Sequence, residues 1–167
     1  YATSYIPTYG TSVTRNGDSA TSVNFGNTSA AWTLFFDVAI DTCPNYNRSF
    51  LDLDTSGGSR RASFRWFNDS NTNRISIYFD LDSTYPFSTG ITENNTDNGK
   101  IILRHDGNGN FSFFNLRNSI ATKRDYAGTP FTGSRLDVFG VADTTILENI
   151  LFFPTALSDE ECETLVS

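Results

Sequence analysis

Residues 74–82, with the sequence RISIYFDLD, carry the clearest pattern in the chain. Apolar side chains alternate there with polar ones, and successive side chains of a strand point to opposite faces of its sheet. The apolar positions are Ile75, Ile77, Phe79 and Leu81, which we expect to face inward. The segment therefore predicts a strand of an antiparallel sheet with one buried face and one solvated face, with Tyr78 on the solvated one.

Short strands of the same kind account for most of the remaining sequence. Two turn clusters, residues 69–73 and 105–110, are rich in Asn, Asp and Gly and predict hairpins. Ser158 and Glu161 form the capping-box pattern of a helix at the end of the sequence. The other predicted strands are residues 32–41, 48–54, 60–68, 100–105, 111–116, 135–140 and 145–153. We predict an all-β fold, a two-sheet antiparallel sandwich or jelly roll with a short C-terminal helix.

The size and charge of the chain exclude several classes of protein. Its 167 residues suit one domain, predicted to span residues 1–167, and its net charge is −7. Non-specific nucleic-acid binding needs a basic face, so we expect no nucleic-acid partner. No apolar run reaches the roughly 18 residues that a membrane-spanning helix needs, so we expect no membrane insertion. The sequence contains no Met and begins at Tyr1, and we expect it to be one module excised from a larger multidomain protein, with neighbouring domains as partners.

The segment at residues 145–162 (TILENILFFPTALSDEEC) resembles the closing signature of laminin G-like, concanavalin A-like jelly rolls, a last strand followed by A-L-S-x-E-E and a short helix. Residues 2–15 are similar to a segment found beside such domains in phage tail proteins and bacterial surface proteins. The resemblance implies a sandwich whose curved front sheet commonly binds glycans. It also implies an extracellular, cell-surface or virion location. The same fold hosts lectins, glycosidases, lyases and plain spacers.

Polar side chains on the outward faces of the central strands form the best candidate binding site. Asp52 and Asp54 share one face of their strand, and Asp80 and Asp82 share one face of theirs. Carboxylates and guanidinium groups beside an aromatic ring suit sugar hydroxyls, and ten arginines against two lysines also make acidic glycans conceivable ligands. The alternative is an ordinary solvated sheet face. The predicted carbohydrate-binding residues are Asp52, Asp54, Arg61, Arg65, Tyr78, Asp80, Asp82 and Arg104.

Other aromatic residues are assigned mainly to the core. Trp32 and Trp66 fall on apolar faces and are expected to be buried. Phe113 and Phe114 are consecutive and must point to opposite faces, so one belongs to the core and the other lies under a loop or is exposed.

The sequence gives little support to catalysis. Jelly-roll glycosidases use carboxylates on one strand face, but none of the five glutamates lies on a candidate groove strand. The lone His105 precedes a hairpin turn and lacks the partners of a base. We therefore predict no catalytic residues.

Metals and disulfides remain open at this point. No cofactor is required, but a structural calcium ion is a possibility because acidic residues lie near strand ends. Cys43 and Cys162 either form a disulfide or are two small buried residues. The calcium candidates are Asp18, Asp143 and Glu148.

The leading hypothesis from the sequence is a non-catalytic, lectin-like module that binds a polysaccharide or a cell-surface glycan. The first alternative is a structural, oligomerisation or receptor-binding domain of a phage tail or virion protein, a homotrimer if it comes from a tail fibre. The second alternative is a jelly-roll glycoside hydrolase or polysaccharide lyase.

Overall fold

The structure is a computed structural model that describes residues 23–24, 31–40, 48–54, 60–69, 72–92, 99–117, 119–129, 135–138 and 145–167. These residues form eleven strands and one helix. The strands are β1 Val23–Asn24, β2 Trp32–Ile40, β3 Arg48–Asp54, β4 Arg60–Asp69, β5 Thr72–Phe79, β6 Thr84–Thr92, β7 Ile101–His105, β8 Asn110–Arg117, β9 Ile120–Ala127, β10 Arg135–Val138 and β11 Thr145–Phe153. The helix, α1, spans Asp159–Val166.

The strands divide into two antiparallel sheets. Sheet A has the order β1-β10-β3-β4-β5-β6, and sheet B has the order β11-β2-β7-β8-β9. Strands β3 to β6 are consecutive neighbours in sheet A, and each pairs antiparallel with the next one along the chain. The prediction of an all-β, two-sheet antiparallel sandwich with a short C-terminal helix is confirmed.

The main core lies between the two sheets and is built from the inward positions of each strand. One row of it crosses sheet A through the paired residues Leu51, Phe64, Ile77 and Phe87, all at most 1% exposed. Phe36 of sheet B meets this row edge-on, with its ring centroid 4.7 Å from that of Phe64. The predicted inward face of residues 74–82 is thus confirmed at Ile75, Ile77 and Phe79.

A second, smaller core lies on the outer face of sheet B, where α1 covers the sheet. Phe35, Ile102 and Phe114 pack there against Cys162 and Val166 of the helix. This explains why β2 is apolar on both faces: one face meets sheet A and the other meets α1. It also settles the Phe113 and Phe114 pair, since both rings are fully buried, one in each core.

The predicted hairpin at residues 105–110 is confirmed, but the predicted end of the strand at residues 74–82 is wrong. The hairpin between β7 and β8 forms as expected, with Gly107 and Gly109 at φ values of 90° and 95° that favour glycine. By contrast, the alternation at residues 74–82 outlasts its strand. Strand β5 ends at Phe79, and residues 80–83 form a turn in which Leu81 is 42% exposed. Leu81 is therefore not a core residue, because the chain leaves the sheet before reaching it.

In the part of the chain that the structure describes, no helix is both long and apolar enough to cross a membrane.

Candidate functional site

The central strands of sheet A bring together part of the predicted site. Asp52 pairs with Ser63, and Ser63 pairs with Tyr78, so the outward positions of β3, β4 and β5 form one row. Asp52 and Asp54, however, are only 2% and 5% exposed. The prediction that they present carboxylates at the surface is wrong. Alternation assigned them to the correct side of the strand, but it does not show whether that side is open to solvent.

Of the other two predicted arginines, Arg104 does not join this row, and the side chain of Arg61 is not described. Arg104 lies on β7, in sheet B, and its guanidinium donates to the carbonyl of Leu157 at 2.8 Å and pairs with Asp159 at 2.7 Å. It is therefore on the outer face of the opposite sheet, and the prediction that it shares a surface with Tyr78 is wrong. The backbone of Arg61 belongs to β4, but its side chain lies outside the described part of the structure.

Arg65 and Tyr78 do come together, and Tyr85 joins them. The Arg65 guanidinium carbon lies 4.5 Å from the centre of the Tyr78 ring, and the ring centroids of Tyr78 and Tyr85 are 4.6 Å apart. Arg65 Nη1 donates to the Tyr85 hydroxyl at 3.4 Å, and Nη2 donates to the Ser63 hydroxyl at 3.3 Å. We call Arg65, Tyr78 and Tyr85 the tyrosine platform.

Within the tyrosine platform, Tyr85 is the ring most open to a ligand. One face of Tyr78 is covered by the Arg65 guanidinium, and Tyr78 is only partly exposed. Tyr85 is 36% exposed. Tyr78 was the predicted stacking residue, but the structure leaves the Tyr85 ring more accessible for stacking.

Sequence reasoning missed Tyr85 because no strand was predicted at residues 84–92, and a β-bulge also interrupts the alternation there. Phe87 faces the core opposite Ile77, so strict alternation would turn Tyr85 inward as well. The pairing then shifts, and Phe79 pairs with Thr84, which leaves one extra residue on β6 between the two pairs. A bulge of this kind changes the direction of a side chain, and here it lets the Tyr85 ring lie beside Tyr78. The only signal in the sequence is Pro86, since proline within sheets is confined to edges and bulges.

Asp80 and Asp82 lie in the turn after β5 and not on a strand face, which corrects the prediction for both. Asp80 is partly exposed. The Asp82 side chain instead contacts sheet B at the C-terminal end of strand β9. Its carboxylate accepts the Tyr126 hydroxyl at 3.0 Å, the Thr129 hydroxyl at 2.6 Å and the Thr129 backbone N–H at 3.1 Å. Burial opposes ionisation, but these hydrogen bonds outweigh it and lower the pKa of Asp82. We call Asp82, Tyr126 and Thr129 the sheet latch.

His105, the lone histidine, is a core residue. It is 1% exposed, its ring stacks on Phe111 with centroids 4.6 Å apart, and its Nε2 accepts the Gly109 backbone N–H at 3.1 Å. This geometry holds the hairpin turn and leaves the ring inaccessible to a substrate.

The structure does not describe the side chains of the calcium candidates or of one cysteine. Asp18, Asp143 and Cys43 lie outside the described residues, and Glu148 is described only as part of the β11 backbone. Within the described ranges, no group of three or more His, Cys, Asp or Glu side chains is placed to hold a metal ion. Cys162 lies on the buried face of α1 as a thiol, and burial raises its pKa to about 11. Because Cys43 lies outside the described residues, the pairing of the two cysteines stays a prediction.

Comparisons with known proteins add little to this geometry. No family model matches the chain, and no curated protein matches it. Among solved structures, it is similar to the full extracellular region of zebrafish Gpr126/Adgrg6, with 15% sequence identity and a TM-score of 0.48. The similarity covers 87% of this chain and 20% of that one, so the chain spans about a fifth of that structure's length.

Proposed function

We propose that this protein is a non-catalytic carbohydrate-binding module, lectin-like in action, that binds a polysaccharide or a cell-surface glycan. The observation that carries the proposal is the tyrosine platform, in which an exposed aromatic ring lies beside a guanidinium group on the outer face of sheet A. The laminin G-like resemblance of residues 145–162 supports the same function and an extracellular, cell-surface or virion location.

The chemistry of the tyrosine platform suits a sugar ring. Tyrosine combines a large apolar face with a polar hydroxyl, so its ring can pack against the C–H face of a sugar while its edge stays hydrated. Arg65 has donors in a fixed plane that match a carboxylate or sulfate as well as a hydroxyl. Because Arg65 contacts both tyrosines and Ser63, little side-chain freedom is lost on binding.

We propose no catalytic role because the candidate catalytic groups are enclosed. Asp52 and Asp54, a carboxylate pair on one strand of sheet A, are buried, and a glycosidase needs both its acid and its nucleophile in contact with the scissile bond. His105 is equally inaccessible, so it cannot serve as the base of a lyase.

The test is affinity electrophoresis of the 167-residue chain against a panel of neutral and acidic polysaccharides, followed by variants of the tyrosine platform. We expect Y85A to weaken binding to the retarding polysaccharide on the order of tenfold, because an aromatic contact of this kind contributes about 1 kcal/mol beyond its buried area. Y85F keeps the ring and should retain most of the affinity.

The matched control is L151A, which truncates another exposed apolar side chain, 44% exposed, on sheet B. It should bind like the wild type. Absence of retardation by every polysaccharide, or equal weakening by Y85A and L151A, would contradict the proposal. Release of reducing or unsaturated ends from the panel would contradict the non-catalytic part and favour a hydrolase or lyase.

One observation favours a second function, a structural, oligomerisation or receptor-binding domain of a phage tail or virion protein. Leu81 and Tyr85 are both exposed in the same β5–β6 hairpin, and exposed aromatic and apolar groups are also typical of protein interfaces. Sedimentation of the chain as a trimer that L81A or Y85A converts to a monomer, together with no retention on polysaccharides, would favour this alternative.

A further inference from the structure

We propose that a cleft on the outer face of sheet B is a second saccharide site, which takes an uncharged mono- or disaccharide unit. The cleft has a volume of about 510 Å³ and lies beside the β7–β8 hairpin. Its lining includes Arg104, Ser112, Lys123, Asp125, Asp106 and Asn110. The ligand class is that of the proposed function, but the residues belong to the opposite sheet, so either site can exist without the other.

The polar side chains of the cleft are held in place before any ligand arrives. Arg104 donates to Ser112 Oγ at 3.0 Å, and Ser112 donates in turn to Asp125 Oδ1 at 2.6 Å. Lys123 Nζ lies 3.3 Å from Asp125 and 3.0 Å from Asp159. Groups fixed in this way lose little conformational freedom when a ligand binds, which favours affinity from a small contact area.

The rim of the cleft is fixed by the hairpin turn. Asp106 Oδ1 accepts the backbone N–H groups of Asn108 and Asn110 at 2.7 and 3.0 Å, and Oδ2 accepts the Asn110 side-chain amide at 2.6 Å. The Asn110 side-chain bond and the Asn108 backbone bond together lower the pKa of Asp106 to about 2, so this carboxylate is ionised at neutral pH.

The charge of the cleft selects against anions. Two cations, Arg104 and Lys123, are engaged by two carboxylates, Asp125 and Asp159, and Asp106 adds a third negative charge. Both terminal nitrogens of Arg104 and two of the three Lys123 N–H donors are already engaged in these contacts. The Asp125 and Asp159 side chains, by contrast, are 62% and 50% exposed and keep lone pairs that face solvent. A ligand rich in hydroxyl donors and free of negative charge fits such a surface, whereas an acidic sugar meets repulsion.

The position of the cleft gives the module two binding faces. The tyrosine platform lies on sheet A and the cleft on sheet B, with the main core between them. One copy of the chain can therefore contact two glycan chains, or two segments of one chain, and gain affinity from the second contact.

The test is an NMR titration of the ¹⁵N-labelled 167-residue chain with neutral disaccharides of glucose, galactose, mannose, xylose and N-acetylglucosamine, and with digalacturonate. We expect at least one neutral disaccharide to shift the amides of Ser112, Lys123 and Asp125, and digalacturonate to shift them less. In A156W, where an exposed residue that lines the cleft is enlarged, the affinity for that disaccharide should fall at least tenfold.

Three variants separate this site from the tyrosine platform and from misfolding. L151W, an equal enlargement at an exposed position of β11, should leave the cleft shifts unchanged. Y85A should also leave them unchanged, even if the tyrosine platform proves to bind nothing. D125N removes an exposed carboxylate without adding bulk and should weaken binding if A156W fails to fold. No shift in the cleft with any neutral disaccharide, undiminished shifts in A156W and D125N, or stronger shifts with digalacturonate would overturn the proposal.

Discussion

Gly99 lies where the chain passes so close to β2 that no side chain fits. A Cβ atom at this position would lie 1.8 Å from the Val38 carbonyl oxygen and 2.7 Å from its carbonyl carbon. The Val38 backbone N–H also donates to the Gly99 carbonyl at 3.3 Å. Because the obstacle is backbone, and that backbone belongs to a buried strand, it cannot move aside without disturbing sheet B.

We expect G99A to lower the free energy of unfolding by about 3 kcal/mol, the upper part of the range for overpacked sites. Urea denaturation should show this as a lower midpoint with an unchanged slope. In G128A the added Cβ meets the ends of two side chains, Tyr126 at 2.5 Å and Asp82 at 2.7 Å, which can shift. G128A should therefore cost less than G99A, and the reverse order would contradict this explanation.

The tyrosine platform shows what residue-level patterns can predict. Alternation predicted that Tyr78 and Arg65 lie outward together, and the structure brings them into contact. It did not predict the exposed position of Tyr85, because no strand was predicted at residues 84–92 and a bulge changes the count of residues between strand pairs there. Nor could it predict the burial of Asp52, because alternation distinguishes the two sides of a strand but not what covers them.

At the scale of elements, α1 is fixed by local and distant contacts together. Its N-terminus has a full capping box: Ser158 Oγ accepts the Glu161 N–H at 3.2 Å, and the Glu161 carboxylate accepts the Ser158 N–H at 2.7 Å. These reciprocal bonds satisfy two donors at the helix start. Arg104 and Lys123 of sheet B then hold the first turn through Asp159.

We expect S158A to destabilise the protein by about 1 kcal/mol, the usual cost of losing a cap. Chemical denaturation followed by circular dichroism should detect it. The matched control is T164A on the exposed side of the same helix, where alanine is the better helix former, and its stability should stay within about 0.5 kcal/mol of the wild type. Equal losses in the two variants would argue against a specific role of the cap.

Elements with local signals were predicted well, whereas strands β6 and β9 were not predicted and the end of β5 was predicted too late. The capping box and the Gly-rich hairpin turn are set by residues three to five apart, so the sequence alone identifies them. Strand β5 ends at Phe79 even though the alternation continues to Asp82. The chain turns there because Asp82 hydrogen-bonds to Thr129 and Tyr126, and these bonds offset the cost of the positive φ of 50° at Ser83.

At the scale of the whole molecule, several carboxyl groups have lowered pKa values in the folded state, among them Asp82, Asp106 and Asp159. A carboxyl with a lowered folded pKa contributes stability above its unfolded pKa of about 3.9, and that stability is lost as the pH falls through the folded value. For Asp106 the folded value is about 2.

We therefore expect the thermal unfolding midpoint to fall as the pH is lowered from about 4 towards 2, in the window set by these values. D82N should be less stable at pH 7, since it loses a charged acceptor of the sheet latch, and should lose less on acidification than the wild type. Differential scanning calorimetry across this pH range would measure both effects. A midpoint that does not change down to pH 2 would show that these hydrogen bonds do not contribute to stability.

The sequence did not predict which strands belong to the same sheet. The presence of two sheets follows from the number of short alternating strands, but Arg104 was predicted on the same surface as Tyr78 and lies on the opposite sheet. Pairing between β2 and β7 joins residues about 70 positions apart, as in Leu34 with Leu103, and no local pattern records such a choice.

The sheet latch has a consequence for how the sandwich can move. Apolar packing between sheets has no preferred direction, so it resists separation but permits small sliding. The bonds from Asp82 to Tyr126 and Thr129 are directional and tie the turn after β5 to the end of β9. At that margin the two sheets are therefore held by directional bonds as well as by apolar packing, so sliding of one sheet over the other would break hydrogen bonds there.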